Sequence, residues 1–158
     1  VSGDARVYGN ARVSGNARVS GDAWVSGDAQ VFGDAWVYGN ARVSGDARVY
    51  GNARVYGNAR VYGNARVSGN ARVSGDADYI QISPIGSRDD TVTFFKSKEN
   101  TIFVNVGCFF GNIEKFKEKV EETHGNNKNA KAYLLAAEIA HIRLTEERGR
   151  NAQSYFNR

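Results

Sequence analysis

Val37-Tyr-Gly-Asn-Ala-Arg42, followed by Val43-Ser-Gly-Asp-Ala-Arg48, is part of a six-residue repeat that runs without insertion from Val1 to Asp78. Thirteen copies occur, each opening on Val with Gly third and Ala fifth. Ala, the following residue, Val, and then Tyr or Ser alternate between inward and outward positions, the period-2 signature of a half-buried strand. Ala and Val face in; Arg and Tyr or Ser face out. Gly with the following Asn or Asp is read as a tight corner, because both residue types tolerate positive φ. Strands this short cannot bury a face alone and must stack on neighbouring coils. Three strands and three corners close a triangular coil of 18 residues, so the segment makes a little over four coils. At about 4.8 Å between stacked strands the rod is roughly 20 Å long. Its core is a column of Val with Ala beside it, too narrow for larger side chains without overpacking.

Outside the repeat the composition excludes several classes. The single cysteine, Cys108, rules out an internal disulfide framework, and a cytoplasmic setting is the expectation. No run of some 18 apolar residues spans a bilayer and no leader-like start is seen, so no membrane role is expected. Lys and Arg number 21 against 17 Asp and Glu, a net charge of +4. The repeats carry nine Arg against seven Asp, so neither a dense nucleic-acid patch nor an acidic DNA mimic is present.

The Val and Ala positions resemble the hexapeptide-repeat family, in which an aliphatic residue opens each six and a small residue sits four places later. That resemblance covers residues 1–78, about half the chain, and implies an all-β solenoid of the left-handed parallel β-helix type. The chain shown begins directly on Val1, and more protein or a partner is expected to cover that end.

Residues 79–158 read as an α+β capping domain, required because a solenoid end exposes strand edges and core. Apolar runs at Tyr79 to Ile82, Thr91 to Phe95 and Thr101 to Val106 predict about three strands. Gly111-Asn112 offers an N-cap to a helix with Ile113, Phe116 and Val120 on one face, ending near His124-Gly125. A second helix is predicted from Ala130 to Glu147, with Tyr133, Leu134, Ala137, Ala140 and Leu144 as its apolar stripe; the last ten residues read as frayed. Thr93-Phe94-Phe95, Val106-Gly107-Cys108-Phe109, Phe116 and Glu122-Thr123-His124-Gly125-Asn126 resemble a module found in hexapeptide proteins of bacteriophages and mobile elements.

The hexapeptide family is best known for trimeric acyltransferases that bind acyl-coenzyme A between adjacent subunits and use a histidine base. Nothing of that machinery carries over residue by residue: the repeats hold no histidine and no projecting loop. His124 and His141 are expected to be structural or exposed, and Cys108 to be a buried small hydrophobe rather than a nucleophile. Stacked Asp and Asn corners raise calcium, but the glycine-rich nonapeptide of calcium-binding solenoids is absent. No catalytic residue, metal or cofactor is assigned.

A strict 18-residue coil sets outward residues in rows: Arg6, Trp24, Arg42 and Arg60; Arg12, Gln30, Arg48 and Arg66; Arg18, Trp36, Arg54 and Arg72. Beside them run Tyr38 and Tyr56, Tyr8 and Tyr62, and Phe32 and Tyr50. Arg beside aromatic rings is the composition of interface hot spots and of stacking platforms for phosphate-bearing chains; the plainer reading is a solvated ladder with Arg stems over rings. Trp24, Phe32 and Trp36 interrupt the pattern within two coils. These rows occupy three faces, and the expected site is an interaction wall of Trp24, Phe32, Trp36, Tyr38, Arg42, Tyr50, Arg54, Tyr56 and Arg60. The expected function is a non-catalytic binding protein whose partner is another protein or another copy of itself. On the phage-like resemblance, that partner is a bacterial defence or nucleic-acid enzyme such as a CRISPR effector, antagonised by this chain. The alternatives are a trimeric acyltransferase and a nucleic-acid binder using the Arg rows.

Overall fold

In a computed structural model, which describes residues 1–75 and 78–145, the repeats form a parallel β-solenoid of about four turns, closed by an antiparallel sheet and two helices. Twelve two-residue strands, β1 (Arg6–Val7) to β12 (Arg72–Val73), recur every six residues. They stack in three parallel sheets: a first face of β1-β4-β7-β10, a second of β2-β5-β8-β11 and a third of β3-β6-β9-β12. Residues 18 apart are register partners, as in Arg6↔Trp24 and Val25↔Val43. From Ala23 to Val73 every described Ala and Val that opens inward is 0% exposed.

The corners correct one expectation. Each solenoid glycine from Gly3 to Gly69 has φ between +60° and +70°, but among the described residues the only non-glycine positions with positive φ are Asp89 and Asn100, both in the cap. Glycine therefore supplies the corner's backbone alone. The Asn or Asp that follows bonds to the next coil: the Asn10 N–H donates to the Gly27 carbonyl at 2.9 Å, and Asn16 Nδ2 donates to Asp34 Oδ1 at 3.1 Å.

The cap sheet runs β13 (Tyr79–Ile85), β14 (Asp90–Lys96), β15 (Ile102–Val106), β16 (Phe109–Asn112), with α1 (Ile113–His124) and α2 (Lys128–Thr145) behind it. Alternation along β14 sends neighbouring residues to opposite sides. Phe95, with Tyr79 and Phe103, joins the solenoid core, whereas Phe94, Val92 and Val104 pack with Phe116, Val120 and Leu144 of the helices. A second cross-strand row, Gln81, Thr93 and Asn105, satisfies polar groups of the last coil. Gln81 Nε2 donates to the Tyr62 carbonyl at 2.9 Å, the Arg66 N–H donates to Thr93 Oγ1 at 3.1 Å, and Asn105 Nδ2 donates to Ser68 Oγ at 2.8 Å.

About three strands were expected, and among the described residues four are present. Gly107, at φ 53°, and Cys108 make the turn that folds Phe109–Asn112 back on β15, the φ pattern of a type II′ hairpin turn. Cys108 is consequently exposed at the turn, not buried. Asn112 caps α1 by accepting the Lys115 N–H at 2.8 Å, and the helix ends at His124 before Gly125. Asn127 accepts the Ala130 N–H at 3.0 Å, which starts α2 at Lys128, two residues before the position read from the sequence. The end of that helix at Glu147, and the frayed last ten residues, lie outside the described residues.

A Cβ on Gly45 would sit 3.0 Å from the Gly63 nitrogen, whereas one on Gly125 would meet nothing within 4 Å at nearly the same φ. Both alanine variants take on positive-φ strain of about 1–3 kcal/mol. Gly45→Ala should lose more stability than Gly125→Ala in chemical denaturation; equal losses would show that coil stacking is not limiting.

Candidate interaction surfaces

The third face gathers the densest group of candidate residues. Arg18, Trp36, Arg54 and Arg72 are successive register partners. The guanidinium carbons of Arg18 and Arg54 lie 5.9 and 5.5 Å from the Trp36 ring centre, and Trp36 Nε1 donates to Ser20 Oγ at 3.1 Å. The Trp36 ring is 4.6 Å from Tyr38, which stacks on Tyr56 at 5.0 Å and 5°. Arg72 Nη1 is turned to the carbonyls of Asn52, Asn70 and Ala71. Trp36, Tyr38, Arg54 and Tyr56 therefore form one continuous patch, half-buried except for the exposed Arg54.

Other predicted site residues lie elsewhere around the rod. Trp24, Arg42 and Arg60 share the first face, where Arg6 and Arg42 bracket Trp24 at 5.8 and 4.7 Å and Tyr8 meets it edge-on at 6.2 Å. Phe32 and Tyr50 stack at 4.9 Å and 1° beside the second face. The Tyr50 hydroxyl accepts from Asn105 of the cap at 3.2 Å, which makes Tyr50 part of the joint between solenoid and cap. The nine residues are not one wall, because Trp24 and Trp36 are two strands apart in a three-strand coil. They share a height on the rod and not a direction.

In the cap, a cleft of about 310 Å³ is lined by Asp90, Phe109, Phe116, Lys119, His124 and Tyr133 among others. His124 stacks on Tyr133 at 5.8 Å and 25°, and Tyr133 meets Phe116 edge-on at 5.7 Å. Burial, with a smaller contribution from the negative charge of Asp90, raises the Tyr133 phenol above its ordinary value of 10.0. His141 is exposed on α2, with its carbonyl accepting the Thr145 hydroxyl. Among the described residues no group of three or more His, Cys, Asp or Glu is placed to hold a metal ion, and no helix is long and apolar enough to cross a membrane.

Segments 1–13, 11–27, 29–45, 35–51, 41–63, 53–67 and 65–77 match the family model described as YdcK beta solenoid repeat. The match spans the repeats and stops before the cap. No curated protein and no solved structure matches the chain.

The raised Tyr133 phenol has a signed consequence. Between pH 10 and its folded value the unfolded chain has lost a proton that the native chain keeps, so stability falls as pH rises through that window. Tyr133→Phe should flatten part of the alkaline loss seen in denaturant titrations at pH 9 and 11; an unchanged slope would mean the group does not contribute.

Proposed function

We propose that this chain, a β-solenoid repeat rod closed by an α+β cap, is a non-catalytic binding protein that docks another protein on the third face. The observation that carries this reading is the Trp36, Tyr38 and Tyr56 cluster with Arg18 and Arg54 against its tryptophan. Tryptophan, tyrosine and arginine are the residues that dominate binding energy at protein interfaces. Here they stand on a backbone whose coils are tied by hydrogen bonds near 2.9 Å, and the Trp36 indole is already oriented by Ser20. Little side-chain freedom is left to lose on association, which favours affinity.

The resemblance of the cap to phage and mobile-element modules makes a cytoplasmic bacterial defence or nucleic-acid enzyme, of the CRISPR-effector kind, the partner class to test first, with this chain as its antagonist. An acyltransferase draws no support from repeats that hold neither histidine nor projecting loop.

The test is affinity recovery from nuclease-treated bacterial lysate with the full chain. A Trp36→Ser, Tyr38→Ser variant is run beside an Arg12→Gln, Arg48→Gln variant on the second face. A defined protein retained by the wild type and the second-face variant, and reduced about tenfold or more by the third-face variant, supports the reading. Recovery that ignores the third-face changes, or that is seen only from a parallel lysate left without nuclease, overturns it.

A further inference from the structure

The cap cleft of about 310 Å³ is at the small end of the range for ligand sites, roughly 300–1,000 Å³. Its floor is apolar: Val106 of β15, Phe109 of β16, and Phe116 and Val120 of α1, with the Phe109 and Phe116 rings 5.7 Å apart. Val106 and Phe109 are only half-buried, so this part of the cap core stays open. The stacked rings of His124 and Tyr133 make a flat side wall. Two glycines let the polar walls close in. Gly86, at φ 79°, lies against the Tyr133 hydroxyl, which any Cβ there would strike, and a Cβ on Gly107 would stand 3.2 Å from Asp90 Oδ2.

Donors and acceptors in this lining are out of balance. Asp90, the one carboxylate of the described lining, already accepts the Thr91 N–H through Oδ1 at 2.8 Å. The Gly107 carbonyl already accepts Arg66 Nη1 at 3.3 Å. Arg88, Lys119 and Tyr133 bring side-chain donors, and among the described residues none of these three side chains makes a hydrogen bond or an ion pair. Burial, and less so the charge of Asp90, keeps the Tyr133 phenol protonated and therefore able to donate. Arg88 and Lys119 also outnumber Asp90 in charge. Open donors with excess positive charge call for an anionic acceptor, and charge-assisted bonds to a carboxylate are the strong ones. The aromatic floor and the flat wall beside them suit a ring, which packs offset or edge-on against other rings.

We propose that this cleft binds a small carboxylic acid with an aromatic body, its carboxylate on Tyr133, Lys119 and Arg88 and its ring on Phe109 and Phe116. The site is in the cap and does not depend on protein docking at the third face. It is tested by calorimetric titration of the full chain with phenylacetate, phenylacetamide, phenethylamine and acetate.

Phenylacetate should bind roughly fivefold or more tighter than phenylacetamide, and phenethylamine should be weaker still, because only the acid meets the donors with negative charge. Acetate should lose about tenfold or more with the buried ring. Tyr133→Phe removes the hydroxyl alone and should weaken phenylacetate about fivefold or more. Arg88→Gln with Lys119→Gln, both exposed, should weaken it about threefold and narrow its lead over the amide. Lys115→Gln with Lys117→Gln removes the same charge from α1 outside the described lining and should leave the affinity within about twofold. Melting curves establish that each variant is folded. Equal affinity for acid and amide, a preference for the amine, indifference to both cleft variants, or no heat at millimolar phenylacetate would overturn the proposal.

Discussion

Each coil must lie on the previous one in the same register, because its outward N–H groups donate to carbonyls of the next coil at about 2.9 Å. That demand passes through the corners, where the chain turns within a residue at positive φ and where the glycine of one coil rests on the glycine of the next. A Cβ there would meet backbone and not a side chain that could swing away. Glycine every six residues is thus the condition on which the flat sheets, the sealed Val and Ala column and the vertical rows of outward residues all depend. An insertion within a coil would break the 18-residue register and scatter the rows with it.

The same hydrogen-bond demand shapes the cap. The last coil has no successor, so its free donors, acceptors and core must be covered by something that is not a coil. Two rows on the solenoid-facing side of three adjacent strands solve both problems. The row Tyr79, Phe95 and Phe103 covers the apolar end, and the row Gln81, Thr93 and Asn105, two residues along each strand, bonds to Tyr62, Arg66 and Ser68. Buried polar groups are tolerable when paired, and here the pairing also fixes the cap's orientation on the rod. Tyr50, read from the sequence as part of an outer wall, is drawn into this joint through Asn105.

How much was legible in the sequence follows from what repeats. Inward Val and Ala, the glycine beat and the 18-residue rows are periodic, and periodicity in sequence becomes direction in space. Helix α1 was legible because Asn112 and Gly125 mark its ends chemically. The fourth strand was hidden because Gly107 sits inside an apolar run; glycine followed by one residue before Phe109 was the available signal for a two-residue turn. The grouping of Trp24, Phe32 and Trp36 gave their height on the rod, because closeness in number is closeness in height on a solenoid, while azimuth depends on the remainder after division by 18.

The Asn or Asp at each corner takes on a different meaning once glycine is seen to carry the turn. Both residue types hold the same backbone, and both can extend a ladder, as Asn16 does to Asp34 and Asn40 to Asn58. The choice between them therefore leaves the fold alone and sets the charge beside each outward row. Asp28 and Asp46 precede Gln30 and Arg48 on the second face; Asn40 and Asn58 precede Arg42 and Arg60 on the first; Asn52 and Asn70 precede Arg54 and Arg72 on the third. From residue 52 to residue 70 each corner carries Asn, so the corners that directly precede Arg54, Arg60, Arg66 and Arg72 bring no charge of their own. A scaffold whose backbone is indifferent to this substitution can vary the potential of one face while its core and register stay constant, which separates the part of the sequence that specifies structure from the part that specifies recognition.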